Sequence, residues 1–225
     1  GDNSVQAFDV ERVRKDFPIL GEEINGRPLV YLDSGASAQK PRQVIDAMST
    51  AMETYYANVH RGVHAMSQRS TEAYEAARTK IATFLNASST NEIIFTSSAT
   101  EAINLVANAY GRKFLKAGDE IIVSHMEHHA NIVPWQLLRE EIGVVLRVAP
   151  IRDDGALDME AYESLLGPKT KLVAMTHTSN ALGTVVPIAD VIKKAHDHGA
   201  LVIVDGCQAV PRSKVDVQAI DADFY

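Results

Sequence analysis

The stretch ALVIVDGCQA, residues 200–209, decides the fold: five apolar residues, three of them β-branched, run straight into Asp205. An apolar run of this length without polar alternation reads as a strand covered on both faces, as in a parallel sheet. Asp205 then stands at the carboxyl end of that strand, where water is scarce and a carboxylate needs a cation. No basic residue lies within several positions of it. An arginine distant in sequence, a metal, or the protonated ring nitrogen of a bound pyridine would each serve.

The same kind of run recurs through the chain: LVYLDS (29–34), EIIFTSS (92–98), EIIVSHM (120–126), VVLRVAP (144–150), KLVAMTHTS (171–179) and ALVIVDG (200–206). Helix-like segments separate most of them: RQVIDAMSTAMETYYANV (42–59), QRSTEAYEAARTKIATFL (68–85), ATEAINLVANAYGRKFL (99–115), NIVPWQLLREE (131–141) and PIADVIKKAHDHG (187–199). Strands alternating with helices predict an α/β fold, a mostly parallel sheet flanked by helices. Residues 1–60 are less regular and read as an N-terminal arm and a long helix; the expected division is residues 1–40 as the arm and the start of a small-domain region, and 41–225 as the large domain, incomplete at its C-terminal end.

Composition narrows the function classes. With 22 basic and 29 acidic residues the net charge is −7, and no basic run or stripe is present to meet nucleic acid. The single cysteine, Cys207, excludes an intramolecular disulfide framework, and GDNSVQAFDVERVRKDF at the start has charges where a signal peptide has an apolar core. The apolar runs are too short to cross a bilayer. A soluble protein of a reducing, cytoplasmic compartment is the expectation.

In an open α/β sheet, ligands bind beyond the carboxyl ends of the strands, and four successive run ends here are polar. FTSSATEAINLVA brings small residues to the start of a helix near Ala99, where free amides and the helix dipole can hold a phosphate, or where Ser98 simply caps the helix with Glu101 in its first turn. SHMEHHANIVPW offers His125, His128 and His129 as metal ligands, as an imidazole lid over a planar ligand, or as a polar loop. No HExxH spacing and no partner cysteine accompanies them. Asn180 in THTSNALGTVVP could donate to a ring oxygen or close an Asx turn. The pyridinium reading of Asp205 unites these features, because pyridoxal phosphate needs a phosphate cradle, a flat partner for its ring face and an acid at its ring nitrogen. Gln208 lies three residues beyond Asp205, near enough to address the ring's phenolic oxygen.

Seven segments in order, YLDSGASAQKP (31–41), NVHRGVHAMSQRST (58–71), ATEAINLVA (99–107), MEHHANIVPW (126–135), HTSNALGT (177–184), VDGCQAV (204–210) and VDVQAIDADFY (215–225), resemble the class V, fold-type I pyridoxal-phosphate enzymes. Within these the chain is similar to the N-terminal half or so of cysteine desulfurases of the SufS type and the related selenocysteine lyases. The resemblance implies the large domain of that fold, truncated, with Ala99 and Thr100 on the cofactor phosphate, His128 stacked on the pyridine ring and moving protons, Asn180 and Gln208 at the ring hydroxyl, and Asp205 on the ring nitrogen. It places Ser34, Gly35 and Ala36 near the substrate carboxylate, and HRGVH (60–64) near the active site or a dimer partner. The implied reaction converts L-cysteine to L-alanine and leaves a persulfide for a sulfur-acceptor protein in iron–sulfur cluster assembly. The alternatives are a selenocysteine lyase acting on L-selenocysteine or another class V enzyme such as an aminotransferase or epimerase; a homodimer is the implied assembly, and no metal, nucleic acid or membrane is expected to take part.

Three departures from the family pattern stand out. Ser98 occupies a position where glycine is frequent, and Cys207 one where alanine is common. The 225 residues also stop before the SGHK segment whose lysine forms the Schiff base, and no lysine here matches it. The chain alone is therefore expected to be inactive, and a non-catalytic folding or dimerisation module is the rival reading. Cys207, directly after the cofactor strand, reads as a small packing residue rather than the persulfide-forming nucleophile.

Overall fold

The computed structural model describes residues 7–225. Two compact units divide the chain, one ending at Ala77 and the other spanning Arg78–Tyr225.

In the first unit, α1 (Val10–Arg14) starts at Asp9, whose side chain accepts the Arg12 amide. A hairpin of β1 (Glu23–Ile24) and β2 (Arg27–Pro28) turns through Asn25 and Gly26, both with positive φ. The run at 29–34, expected as a strand, forms no ladder among the described residues; Leu29 N–H donates to the Glu22 carbonyl, and the chain then reaches a turn in which Ala36 and Ser37 donate to the Asp33 carbonyl. After α2 (Arg42–Thr54), which buries none of its residues, comes the segment 55–64. Ser67 organises this segment from the start of α3 (Ala65–Leu85): its hydroxyl accepts from Gly62 N–H at 3.0 Å and donates to the Asn58 carbonyl at 2.6 Å, while its amide donates to His64 Nδ1. A Cβ on Gly62 would lie 2.5 Å from that of Ser67, so only glycine admits the approach.

The second unit is a three-layer α/β structure. The helix expected over 99–115 forms α4 (Ala99–Val106), one π-type turn at Ala107–Gly111, and α5 (Arg112–Phe114). Then come β3 (Glu120–Ser124), α6 (Val133–Ile142), β4 (Val145–Ala149), α7 (Met159–Leu165), β5 (Thr170–Thr176), α8 (Ile188–Asp197), β6 (Leu201–Asp205) and α9 (Val217–Ile220). The four strands form one parallel sheet in the order β4-β3-β5-β6. Four of the six expected strands therefore stand.

The expected strand at 92–98 does not form. A strand exists by its ladder, and the outer edge of β6 is instead met by the last residues, with Phe224 N–H on the Val202 carbonyl and Val204 N–H on that of Phe224. Helix α7 was not anticipated, although Asp158 caps it through the Ala161 amide.

Alternation along the strands builds two cores. Ile122, Val173, Met175, Val202 and Val204 face α7 and α8, packing on Tyr162, Val191 and Ile192. Ile121, Val123, Leu172, Ala174 and Ile203 face α4 and α6, packing on Ile103, Trp135 and Leu138. Side chains buried this fully contribute roughly 1.5–3 kcal/mol each, and the central strands β3 and β5 are apolar on both faces for that reason. Parity then places Asp205, two residues beyond Ile203, on the face that α4 and α6 cover.

Candidate active site

The carboxyl ends of β3, β5 and β6 bring Ser124, Thr176 and Asp205 side by side, Thr176 being in register with Asp205. Asp205 is half-buried rather than sealed from water, as the sequence had implied. One of its oxygens accepts from Cys207 N–H at 3.0 Å. Among the described residues no lysine, arginine or histidine forms an ion pair with it. The cation that an inward-facing strand-end carboxylate calls for is thus not supplied by the described chain, which fits a protonated ring nitrogen brought by a ligand.

On the same side of the sheet, α4 begins at Ser98, which caps it by accepting from Glu101 N–H at 3.2 Å. Glu101 in turn accepts from the Ser97 amide and hydroxyl, and these bonds hold its carboxyl below the usual range. The cap leaves the first amides of the helix, those of Ala99 and Thr100, without intrahelical partners, as at any helix start. Capping and anion binding are thus compatible here, since they use different amides. Ser98→Ala is expected to lower stability in urea unfolding by about 1 kcal/mol and Ser98→Gly by only a few tenths; equal loss in both would mean the cap bond contributes nothing.

His128 lies between β3 and α6. Its Nδ1 accepts from Ala130 N–H at 3.1 Å, so a neutral ring carries its proton on Nε2, which the exposed side chain turns outward. α4 packs against the adjoining turn His129–Asn131. The rings of His128 and His129 stand nearly perpendicular, 6.1 Å apart, and among the described residues no three His, Cys, Asp or Glu side chains gather as a metal set.

The residue that sequence reasoning passed over is Glu127. It is buried, and its Oε1 accepts from the Ser124 hydroxyl at 2.6 Å and from Thr176 N–H at 2.9 Å, while Oε2 accepts from Asn131 Nδ2 at 2.8 Å. Burial, with the neighbouring Asp205 carboxylate adding to it, pushes the Glu127 carboxyl up to about 7 against the pull of those three bonds. Two acids close enough to repel each other mark this as the negative end of the site. The signal was present in the spacing Ser124, Glu127, Asn131, Trp135, hydrogen-bonding groups at three- and four-residue intervals.

Beyond β5, His177 accepts or donates at Nδ1 to the Tyr225 hydroxyl at 3.0 Å, and burial lowers its proton affinity. The Tyr225 ring lies so close to Gly206 that a Cβ there would be 2.2 Å from it. Asn180 is exposed in the following turn, its side-chain amide without a partner among the described residues. Gln208 is half-buried one turn after Asp205, and its carbonyl accepts from Arg212. Cys207, read as a packing residue, is instead exposed, although desolvation of its sulfur, with Asp205 beside it, pushes the thiol up to about 12. Ser34, Gly35 and Ala36 are exposed in the turn of the first unit that follows Asp33.

The donor set of the second unit fits pyridoxal phosphate: amides at a helix start for the phosphate, a fixed imidazole, an unpartnered amide and an unpaired acid at strand ends. A family model described as aminotransferase class-V matches residues 30–225. A cysteine desulfurase of Dickeya dadantii (strain 3937) is 55% identical over 221 residues, 98% of this chain and 54% of the relative. One of Escherichia coli (strain K12 / DH10B) is 54% identical over 218 residues, 97% of this chain and 54% of the relative. Among solved structures, a cysteine desulfurase from Escherichia coli superposes with a TM-score of 0.85 at 38% identity, covering 97% of this chain and 54% of that one. The apo structure of a cysteine desulfurase from Thermococcus onnurineus NA1 gives 0.88 at 38% identity, covering 95% and 51%. The chain spans about half the length of the curated relatives it matches. With the parallel sheet, the polar strand ends and a family model that runs from residue 30 to residue 225, the chain belongs to the aminotransferase class-V family.

Proposed function

We propose that this protein is a pyridoxal-phosphate-dependent cysteine desulfurase, taking L-cysteine to L-alanine and passing the sulfur on as an enzyme-bound persulfide. The observation that carries the reading is Asp205: a strand-end carboxylate with no ion-pair partner among the described residues, on the sheet face covered by the helix whose first amides are free. Relatives named cysteine desulfurase, more than half identical over nearly the whole chain, support the substrate.

When bound, pyridoxal phosphate supplies an electron sink for the pair left at the substrate α-carbon once its C–H bond breaks. Asp205 holds the proton on the ring nitrogen, keeping that sink cationic. The amides of Ala99 and Thr100 hold the phosphate, and the α4 dipole favours its charge. His128, its ring oriented by the Ala130 amide, stacks on the pyridine face and moves a proton at Nε2. Asn180 and Gln208 orient the phenolic oxygen, and Ser34, Gly35 and Ala36 receive the substrate carboxylate. The family resemblance matches no lysine of the 225 residues to the Schiff-base segment and gives the persulfide to a cysteine other than Cys207. Cys207→Ala is expected to leave alanine formation unchanged; an abolished activity would make this thiol a participant.

The same reading carries a homodimer, a cytoplasmic location, an N-terminal arm over residues 1–40 ahead of a cofactor domain, and a sulfur-acceptor protein serving iron–sulfur cluster assembly. Family resemblance supports these. The full-length protein loaded with cofactor should release alanine from L-cysteine in step with sulfur transfer to added thiol. Turnover of L-selenocysteine alone would assign it as a selenocysteine lyase instead, and turnover of neither would end the desulfurase reading.

A further inference from the structure

Glu127 has bonding that only an acceptor at both oxygens can satisfy. The Trp135 indole can only donate, and it gives its hydrogen to Asn131 Oδ1 at 3.2 Å. The Asn131 amide is thereby fixed with Nδ2 toward Glu127 Oε2. At Oε1 the Thr176 backbone N–H is equally a donor without choice. Only the Ser124 hydroxyl, which also accepts from Met126 N–H at 3.2 Å, could reverse its bond to Glu127. Ser124, Glu127, Asn131 and Trp135 are all buried, so water cannot replace a missing partner.

These bonds connect the carboxyl end of β3, the carboxyl end of β5 and the first turns leading into α6. The segment between them, residues 125–131, belongs to no strand and carries His128. α4 packs against its last residues, so the position of this segment also sets His128 relative to the start of α4.

We infer that Glu127 is a positioning residue, whose carboxylate locks the turn bearing His128 onto the ends of β3 and β5. The inference rests on His128 facing the cofactor, as proposed above. It has a specific corollary. Glutamine, although isosteric, must set a donor against a donor, at Asn131 in one amide orientation and at Thr176 in the other. Changing Asn131 to Asp at the same time removes the conflict: the Gln amide then donates to one Asp oxygen, the other still accepts from Trp135, and the net charge is unchanged.

The test uses the full-length protein with pyridoxal phosphate bound, as wild type, Glu127→Gln and the double variant Glu127→Gln/Asn131→Asp. The single variant should lower kcat by about 10- to 100-fold with KM little changed, the effect of displacing a catalytic group without losing substrate contacts. The double variant should recover most of that loss. Thermal unfolding of the cofactor-free proteins should rank the same way, the single variant below the other two, a readout that does not depend on the reaction. A single variant with wild-type kcat, or a double variant no better than the single in both kcat and unfolding, would overturn the inference. If the single variant does not fold, a folded and active double variant supports the inference and a misfolded one defeats it. A wild type that binds the cofactor but does not turn over L-cysteine would refute the desulfurase reading, leaving the unfolding order to decide the role of Glu127.

Discussion

Asp205→Asn is expected to lower kcat for alanine formation by about 10²- to 10³-fold, the loss typical when one preorganised electrostatic partner of the reacting system is removed. Asparagine retains an oxygen for the Cys207 amide, so the fold should persist and stability should change by no more than about 1 kcal/mol. What disappears is the negative charge proposed to keep the ring nitrogen protonated. The substitution leaves the proposed phosphate cradle at Ala99 and Thr100 untouched, so the variant should still bind cofactor, with an absorption band displaced from that of the wild type. An Asp205→Asn protein with wild-type kcat would show that the unpaired carboxylate is not the ring's partner.

His128→Ala should have a comparable or greater effect, a fall in kcat of about 10²- to 10⁴-fold, the range for removing a positioned acid–base group. The side chain is exposed, and its one hydrogen bond among the described residues is to the Ala130 amide two residues on, so little stability is at stake. His128→Gln can keep an acceptor for that amide without the ability to titrate. It separates proton transfer from local structure: both variants should be equally slow if the imidazole moves a proton, whereas recovery by glutamine would reduce His128 to a structural cap of the turn.

The sheet was legible because β3, β5 and β6 are buried on both faces and so carry unbroken apolar runs. The same signal misled at 92–98 and 29–34, where Ile93, Ile94, Val30 and Leu32 look like strand residues but no neighbouring ladder exists among the described residues. Local sequence records propensity, whereas a strand needs a partner. The hairpin turn Asn25–Gly26 was readable and missed, since that dipeptide favours the left-handed conformations both residues adopt. The π-type turn within 99–115 has no equivalent signal, because its apolar periodicity is nearly that of an α-helix.

In the site, the type of each group was legible and its environment was not. Asp205 at a strand end and a small-residue helix start at Ala99 were both evident from the run boundaries. The partial exposure of Asp205 and the raised proton affinity of Glu127 depend on contacts between residues far apart in sequence, such as Thr176 N–H on Glu127, 49 positions on. Glu127 stands among three histidines to which the sequence assigns the chemistry, while its one long-range bond, to Thr176 N–H, has no signature in the local sequence.

The most direct test is the visible absorption spectrum of the purified full-length protein with one equivalent of pyridoxal phosphate, recorded before and after adding L-cysteine. A protein-bound cofactor band that shifts when cysteine is added, and a shift that is lost in Asp205→Asn, is the expected result. A spectrum identical to that of free cofactor and unchanged by cysteine would contradict the assignment of these strand ends as a pyridoxal-phosphate site.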